Sequence, residues 1–554
     1  MAGTSRLMQS IRHRDTTQPF DRLVRFNWPG QFVITFAGML ISFLMFGFWY
    51  PYWRFSDMDF CVIYNAFLLN AHLPQEYFDH PGYLLILLVS YWLRALHSIH
   101  VISIDSFAAL PPPLTSLAAF SKAWMQATQA GRVLSLIIAM AFVAAFSYLL
   151  RALVRDWRVA GFGGFLLAFS GGLEMQMRTM RSELLAAGLF TTALLMLMVA
   201  AKRGERPWRP AVIGLASALM TLGMESKVQI FFLICALPIL LFPFGPGVPS
   251  HSAPPSFWRM PRRAWPALAL SAGVAALAAY LASDILILGF SRITSAERAW
   301  SVLGLGARTY WAIVALWIGL GMAAYALVWR VAALEALAAV FAALAGCMLG
   351  LLVLFVRFEP DNVIAVFHPL ETMLQWGGAS DPRLISGGSW LSPERVQFLV
   401  HAIAGVIARR IFFLLPSPRP TIFLEWFVIA VAVLAIRRRE WLLVTQVAAL
   451  MLTDWAVDTF GMGRHLQLAY FIFTDPLVII AAALLIVNLT DLQRYRWTYP
   501  IGIALVAAHV VVSQVEPVKN LFRTKKEEVL CELQPRTPRL VPLPFCLEQP
   551  ALRQ

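Results

Sequence analysis

The segment Arg54-Phe55-Ser56-Asp57-Met58-Asp59 directly follows an apolar run from Phe32 to Trp53. A helix of that length crosses roughly 30 Å of hydrocarbon at about 1.5 Å per residue. The two carboxylates therefore lie where the first predicted span leaves the bilayer. Charge held at that depth suits chemistry at a membrane surface better than a conduit through the membrane.

The composition is typical of a polytopic membrane protein. Of the 554 residues, 59% are hydrophobic and 14% are charged, and the mean hydropathy is +0.67. The first thirty residues are polar and Arg-rich, so no cleavable signal peptide is expected and the first span should stay as an anchor. We predict an all-α polytopic membrane protein with about 13 transmembrane helices.

The net charge of +14 is concentrated in short loops rich in Lys and Arg. The positive-inside rule places these loops and the N-terminus in the cytoplasm. We expect the loops to set topology and to contact anionic membrane lipids, and we expect no nucleic-acid binding. The basic segments are Arg12–Arg25, Arg151–Arg158, Lys202–Arg209, Arg259–Arg263, Arg437–Arg439 and Arg494–Arg496.

Apolar runs between the basic loops give the predicted spans. They are Phe32–Trp53, Val133–Leu150, Val159–Gly171, Leu184–Ala200, Ala211–Leu222, Val228–Phe242, Ala267–Leu288, Tyr310–Trp329, Val331–Val356, Ile422–Ile436, Trp441–Trp455, Leu468–Val487 and Tyr499–Val512. Two long segments, 54–130 and 357–420, fall on the outer side. Within them, Pro81–Leu96 and Arg395–Leu415 are predicted as juxtamembrane helices lying in the interface.

This map divides the chain into four parts. They are a cytoplasmic segment 1–30, a transmembrane module 31–245, a second transmembrane module 246–515 and an outer tail 516–554. The tail contains Cys531 and Cys546, which can form a disulfide in an oxidising compartment, whereas a cytoplasmic tail would keep them as thiols. Cys61, Cys235 and Cys347 are isolated and are expected to act as small buried hydrophobes.

The first outer segment carries most of the candidate chemistry. Four acids, two His and three Tyr fall between Asp57 and Tyr83. A carboxylate in a partly dry, aromatic-lined pocket can act as a general base on a hydroxyl group. The alternative is a solvated loop whose acids only help to keep it outside. An Asp-x-Asp pair can also bind a divalent cation, so a metal is possible, and no other cofactor is indicated.

Five motifs stand out between residues 57 and 227. They are Asp57-Met58-Asp59, Asp79-His80-Pro81-Gly82-Tyr83, Gln129-Ala130-Gly131-Arg132-Val133, Gln176-Met177-Arg178-Thr179-Met180-Arg181-Ser182-Glu183 and Thr221-Leu222-Gly223-Met224-Glu225-Ser226-Lys227. Together they resemble the GT-C glycosyltransferase superfamily, most closely its protein O-mannosyltransferase and lipid A aminoarabinose transferase branch. The resemblance covers roughly residues 30–245, and the chain departs from it in having Asp-Met-Asp for Asp-Glu, and Glu183 where relatives often have Asp.

The resemblance implies an inverting glycosyltransferase with a GT-C-like fold. It would move a sugar from a polyprenyl-phosphate donor to a hydroxyl of a lipid, glycan or protein at the periplasmic face of a bacterial inner membrane. The catalytic base would be Asp57 or Asp59, with Asp57 the better match. The implied donor-phosphate ligands are Lys227, Arg178, Arg181, Arg464 and His465, and the implied substrate contacts are Asp79, His80, Tyr83 and Glu183.

Each assignment has an alternative. Arg178 and Arg181 can extend to lipid head groups, and His465 can be an ordinary interfacial histidine. Glu183 can cap a helix, Lys227 can pair with an acid such as Glu225, and Asp454 and Asp458 can pair with Arg464. The alternative class for the whole chain is a lipid-linked glycan flippase or another transporter, which would carry ionisable groups deep within its spans.

Overall fold

The computed structural model describes residues 28–74, 76, 82–203, 208–245, 264–294, 307–328, 331–355, 393–411, 419, 421–461, 468–489, 498–522, 526–541 and 543–547. Regular structure in these ranges is helical, and they contain no strand. The α-helices in chain order are α1 Trp28–Phe43, α2 Cys61–Asn70, α3 Tyr83–Ser98, α4 Leu117–Val154, α5 Trp157–Ala168, α6 Gly171–Met177, α7 Ser182–Arg203, α8 Arg209–Ser226, α9 Ile230–Cys235, α10 Leu237–Leu241, α11 Ala264–Leu281, α12 Ser283–Thr294, α13 Ala307–Val328, α14 Ala333–Phe355, α15 Pro393–Ile411, α16 Ile422–Arg437, α17 Trp441–Gly461, α18 Asp475–Asn488, α19 Thr498–Phe522 and α20 Pro544–Leu547.

Shorter turns of other helical types complete the secondary structure of the described residues. The π-helical turns are Leu44–Phe48 and Ser56–Phe60, and the 3-10 helices are Phe107–Ala109, Phe242–Phe244, Leu468–Phe473 and Glu527–Arg536.

Six of the described helices are long and apolar enough to cross a membrane. They are Pro29–Phe48, Leu117–Val154, Ser182–Lys202, Ala333–Leu354, Trp441–Gly461 and Pro500–Lys519. This confirms the all-helical, membrane-like character of the chain among the described residues. The count of about thirteen spans stays a prediction.

The structure corrects several predicted boundaries. Helix α4 begins at Leu117 instead of Val133, because the Ser116 hydroxyl accepts a hydrogen bond from the Ala119 amide at 3.3 Å and caps the helix. The predicted span Val228–Phe242 is divided into short helices around Pro238, a residue that lacks the amide hydrogen a continuous helix needs. The predicted span Ala267–Leu288 is likewise divided between α11 and α12.

Two hydrophobic cores organise the described helices. The larger core lies among α1, α4, α5, α7, α16, α17 and α18. The smaller core lies at one end of the bundle and joins α2, α3 and the first turns of α4 to the C-terminal tail. Its centre is Trp124, which is fully buried and stacks on Phe60 with 4.4 Å between ring centroids. The tail and the first outer segment therefore occupy the same end of the molecule.

A close helix contact joins α8 and α14. A Cβ atom placed on Gly346 would overlap the carbonyl oxygen of Gly214, so the two backbones pack at a distance that only glycine allows. Small residues at such contacts let apolar helices approach closely.

We expect Gly346→Ala to lower the free energy of unfolding by about 1–3 kcal/mol, because α14 must move away from α8. Gly273→Ala is the matched control, since a Cβ atom at Gly273 meets nothing within 4 Å. Thermal unfolding of both variants in detergent measures the difference. Equal stability of the two variants would contradict the close contact.

Candidate functional site

The acidic segment forms a single π-helical turn, Ser56–Phe60, after the first apolar helix. Its backbone is closed by amide hydrogen bonds from Met58 and Asp59 to the Phe55 carbonyl, at 3.0 and 2.8 Å. The turn gives the two acids different surroundings. Asp57 is exposed, whereas Asp59 is fully buried.

Asp59 is held by a buried ion pair with Arg132 of α4. The Asp59 Oδ2 atom accepts hydrogen bonds from Nε and from one terminal nitrogen of Arg132, at 2.9 and 2.6 Å. The Oδ1 atom accepts from the Met180 amide at 2.8 Å. Burial raises the pKa of the Asp59 carboxyl, and the positive charge of Arg132 and the Met180 amide act in the opposite direction. Both oxygens of Asp59 are therefore occupied by protein donors.

Arg132 also fixes the end of the first helix. Its terminal nitrogens donate to the carbonyl oxygens of Gly47, Tyr50 and Pro51 at 3.1, 2.5 and 3.2 Å. The neighbouring Gly131 leaves room for Met180, whose sulfur would overlap a Cβ atom at that position. One arginine thus joins the end of the first helix, the acidic turn and α4.

Asp57 has no hydrogen-bond or ion-pair partner in the described part of the chain. It lies two residues from Asp59 on the same turn, and the negative charge of Asp57 acts on the Asp59 carboxyl. The geometry leaves the Asp57 carboxylate available at the surface of the turn while Asp59 anchors the turn from inside.

A second arginine, Arg178, follows α6. A terminal nitrogen of Arg178 donates to the Ser42 hydroxyl at 2.5 Å and lies 3.5 Å from the Glu174 carboxylate. Glu174 also accepts hydrogen bonds from Ser42 and from Gln514 of α19. Burial lowers the pKa of Arg178, with the charge of Glu174 opposing the shift. The charge of Arg178 is thus largely compensated, although its Nε has no hydrogen-bond partner.

Arg181 differs from Arg178 in having no compensating carboxylate among the described residues. Its side chain is only 8% exposed. Within the described ranges no carboxylate lies within ion-pair distance of Arg181, and its buried Nε has no hydrogen-bond partner. Arg181 directly follows Met180, the residue whose amide binds Asp59. A buried N–H group without a hydrogen-bond partner is energetically costly, and a guanidinium that carries one is suited to binding an anion.

Lys227 and Glu183 form a second buried ion pair. The Lys227 Nζ and Glu183 Oε1 atoms are 2.8 Å apart, and both side chains are about 1% exposed. The alternative partner Glu225 is also buried, and its charge acts on the buried Tyr83. The Lys227–Glu183 pair lies close along the chain to the Asp59–Arg132 pair. Glu183 follows Arg181 by two positions, and Arg181 follows Met180, whose amide binds Asp59.

Four predicted site residues, Asp79, His80, Arg464 and His465, lie outside the described residues. The expected pairing of Asp454 and Asp458 with Arg464 stays a prediction, and within the described residues the two acids have another partner. Both acids bind Arg410, at 2.9 and 2.7 Å, because α15 folds back on α17 and buries its last turn there.

Arg419 completes that cluster of buried charges. It pairs with Asp454 at 2.5 Å and also with Asp458 and Glu425. Two arginines therefore hold α15, α16 and α17 together at the start of α18, where Asp475 lies 3.8 Å from Arg419. This cluster belongs to the packing of the second module.

A large apolar cavity of about 810 Å³ lies among α7, α8, α10, α13 and α14. It follows α8 from Arg209 to Met224 and is lined mostly by apolar side chains, with Cys347 and Glu335 contributed by α14. Met224 lies just before Glu225 and Lys227 in the chain. Glu183, Glu225 and Lys227 do not line the cavity themselves.

The predicted divalent metal stays a prediction. Among the described residues no group of three or more His, Cys, Asp or Glu side chains is placed to hold a metal ion. A metal on Asp57 and Asp59 would also have to displace Arg132 or the Met180 amide from Asp59. The pair as it stands does not provide the donor set.

The fold and these sites define a helical protein with membrane-spanning character and a cluster of charged residues at one end of the bundle. No family model matches the chain, and no curated protein matches it either. The resemblance to the GT-C superfamily therefore stays a prediction that depends on the quoted motifs.

Arg132 is the functional residue that sequence reasoning missed. It stands within the quoted motif Gln129-Ala130-Gly131-Arg132-Val133, but it was assigned no partner. The position of Arg132 inside a long apolar helix is the signal that could have identified it, because a charge there requires a buried acid. The choice of Asp59 as that acid depends on tertiary packing.

We expect Arg132→Met to lower the free energy of unfolding by about 3–5 kcal/mol, because it leaves the Asp59 carboxylate buried and unpaired. Adding Asp59→Asn to Arg132→Met should recover more than half of that loss. Denaturant titration in mixed micelles measures both. The exposed Arg94→Met is the control, and a single-variant loss no larger than that of Arg94→Met would rule out the buried pair.

Proposed function

We propose that the chain is an inverting glycosyltransferase that uses a polyprenyl-phosphate sugar donor at the outer face of the membrane. One observation supports this most strongly. The exposed acid Asp57 and the buried cation Arg181, which has no carboxylate partner among the described residues, flank the hydrogen bond from the Met180 amide to Asp59. An acid for the acceptor and a cation for the leaving phosphate are the two charges that such a transfer requires.

The two acids have separate roles in this proposal. If Asp59 left Arg132, the buried guanidinium would lose its carboxylate partner at a high cost in free energy. Asp59 therefore acts as the anchor of the turn. Asp57 has no competing protein donor and acts as the general base. Asp59 is a positioning residue, and Asp57 is the catalytic one.

The reaction is a single displacement. Asp57 removes the proton of the acceptor hydroxyl while that oxygen forms a bond to the anomeric carbon. The bond between the anomeric carbon and the donor phosphate oxygen breaks on the opposite side, and its electron pair leaves with polyprenyl phosphate. The configuration at the anomeric carbon is inverted, and the proton ends on Asp57.

The phosphate is bound by cations that follow α6. Arg181 contributes an uncompensated guanidinium, which can bind phosphate oxygens bidentately. Arg178 contributes its free Nε while Glu174 and Ser42 hold the other side of its guanidinium. Lys227 remains a predicted phosphate ligand, but it would have to share its charge with Glu183. Arg464 and His465 keep their predicted roles outside the described residues.

The lipid part of the donor is accommodated by the apolar cavity along α8. Its volume of about 810 Å³ lies in the usual range for ligand sites of roughly 300–1,000 Å³. The cavity follows α8 as far as Met224, one helical turn before Lys227, so a chain within it would continue toward the charged cluster. The membrane would supply the donor laterally, and the sugar and phosphate would remain at the surface.

The tail supports the proposed compartment. Cys531 and Cys546 are bonded to each other, which supports an oxidising, periplasmic side for the tail and for the acidic turn against which it lies. The proposed acceptor is a lipid, glycan or protein hydroxyl. Tyr83 and Glu183, with Asp79 and His80, remain the proposed substrate contacts.

A transporter is the second candidate, and one observation favours it. Four carboxylates and two guanidiniums are enclosed where α15, α16, α17 and α18 meet, and such clusters can couple ions to movement. Reconstituted liposomes separate the two candidates. Solute flux without sugar transfer would favour the transporter.

We expect Asp57→Asn to lower the rate of sugar transfer in nanodiscs by about 100-fold or more, because the amide cannot accept the acceptor proton. The variant should bind the donor normally. Asp105→Asn, in the same outer segment but away from the turn, is the matched control. Full transfer activity in Asp57→Asn would reject Asp57 as the base.

We expect Arg181→Gln to weaken binding of polyprenyl phosphate by about 10-fold or more, because a charge-assisted contact to phosphate is lost. Arg94→Gln, an exposed arginine on α3, is the control for lost surface charge. Titration with the lipid phosphate in nanodiscs measures both. Equal affinity in the two variants would remove Arg181 from the phosphate site.

A further inference from the structure

The C-terminal tail forms a compact unit that we call the strap, residues 526–541 and 543–547. It consists of the 3-10 helix Glu527–Arg536, a short loop and α20, and the disulfide between Cys531 and Cys546 joins its two helices. A segment of this size has little core of its own. Its stability must come from the disulfide and from the surface on which it lies.

The strap packs on the element that carries the acids. Its 3-10 helix contacts the turn Ser56–Phe60 directly. Apolar side chains from the strap, namely Leu530, Leu533, Leu540 and Leu543, are buried in the same core as Phe60 and Trp124. The strap therefore covers the inner side of the turn whose outer side presents Asp57.

Polar contacts fix the strap on both sides of the turn. Before the turn, the Tyr52 hydroxyl donates to Glu527 at 3.0 Å and lies 3.2 Å from the Ser121 hydroxyl. After the turn, Arg539 pairs with Glu76, and the Arg539 amide donates to the Tyr64 hydroxyl at 3.2 Å. Tyr64 itself donates to Glu76. The strap thus connects the chain before the turn with the chain after it.

The disulfide makes this contact favourable. It closes a loop across a sequence separation of 15 residues, which reduces the number of conformations available to the undocked tail. A tail with free thiols would lose more conformational entropy on docking. Opening the disulfide should therefore loosen the strap before it loosens the membrane helices.

We propose that the strap positions Asp57 for catalysis by holding the acidic turn from the side opposite the substrate. This inference rests on the proposed glycosyltransferase function. Arg132 sets the depth of the turn through Asp59, and the strap sets its orientation through Tyr52 and Phe60. Neither the strap nor its disulfide takes part in the chemistry.

The principal test is the double variant Cys531→Ser/Cys546→Ser in nanodiscs. We expect kcat for transfer to fall about 10-fold, because a small displacement of a general base is enough to cost that factor. The KM for the donor should stay within about two-fold, because among the described residues no hydrogen bond or ion pair joins Arg178 or Arg181 to the strap. Dithiothreitol should have the same effect on the wild-type protein and none on the double variant.

Two control variants separate positioning from general damage. Cys235→Ala, which removes an unrelated thiol in α9, should behave as the wild type. Arg539→Ala should lower kcat, whereas Arg539→Lys should retain most of it by keeping the pair with Glu76. Either of two results would overturn the proposal. One is an equal loss of kcat in Arg539→Ala and Arg539→Lys, and the other is an unchanged kcat in the cysteine double variant.

Hydrogen–deuterium exchange tests the strap without any assay of activity. In the cysteine double variant we expect faster exchange in residues 52–70 and unchanged exchange in α17. Unchanged exchange in residues 52–70 would overturn the proposal. If the wild type transfers no sugar, the proposed function fails, and faster exchange in residues 52–70 still supports the strap as the element that orders the turn.

Discussion

The ion pair between Asp59 and Arg132 is the interaction on which the rest of the proposed site depends. It is fully buried, and each partner is satisfied by further hydrogen bonds, from the Met180 amide and to three backbone carbonyls. A buried charge without this degree of compensation would cost several kcal/mol. Because the pair joins α1, α4 and the segment after α6, it sets the positions of the exposed acid and of the neighbouring arginines together.

Buried charge in this protein serves two different purposes. Around Arg410 and Arg419, each guanidinium faces several carboxylates, and these ion pairs act as polar packing between helices. At the acidic turn the charges are only partly compensated. Asp57 is exposed, and Arg181 lacks a counter-ion among the described residues. In the proposed reaction the acceptor hydroxyl contacts Asp57 and the donor phosphate contacts Arg181.

The sequence predicted much of the fold, because apolar runs and basic loops are local signals. Helices cover the predicted spans among the described residues, and α3 and α15 lie where juxtamembrane helices were expected. Breaks such as the one at Pro238 and the early start of α4 depend on single capping or proline residues. Partners of charges were harder to predict. Lys227 binds Glu183 instead of its sequence neighbour Glu225, and Arg132 binds Asp59 across 73 positions.

A cryo-EM map of the wild-type protein with polyprenyl phosphate bound tests the division of roles between the two acids most directly. The account predicts that the phosphate contacts Arg181 and that Asp59 stays paired with Arg132. It also predicts that the Asp57 carboxylate faces the space beside the phosphate into which the acceptor hydroxyl would enter. A map in which Asp59 has left Arg132 to contact the ligand, or in which the phosphate lies away from Arg181, would contradict it.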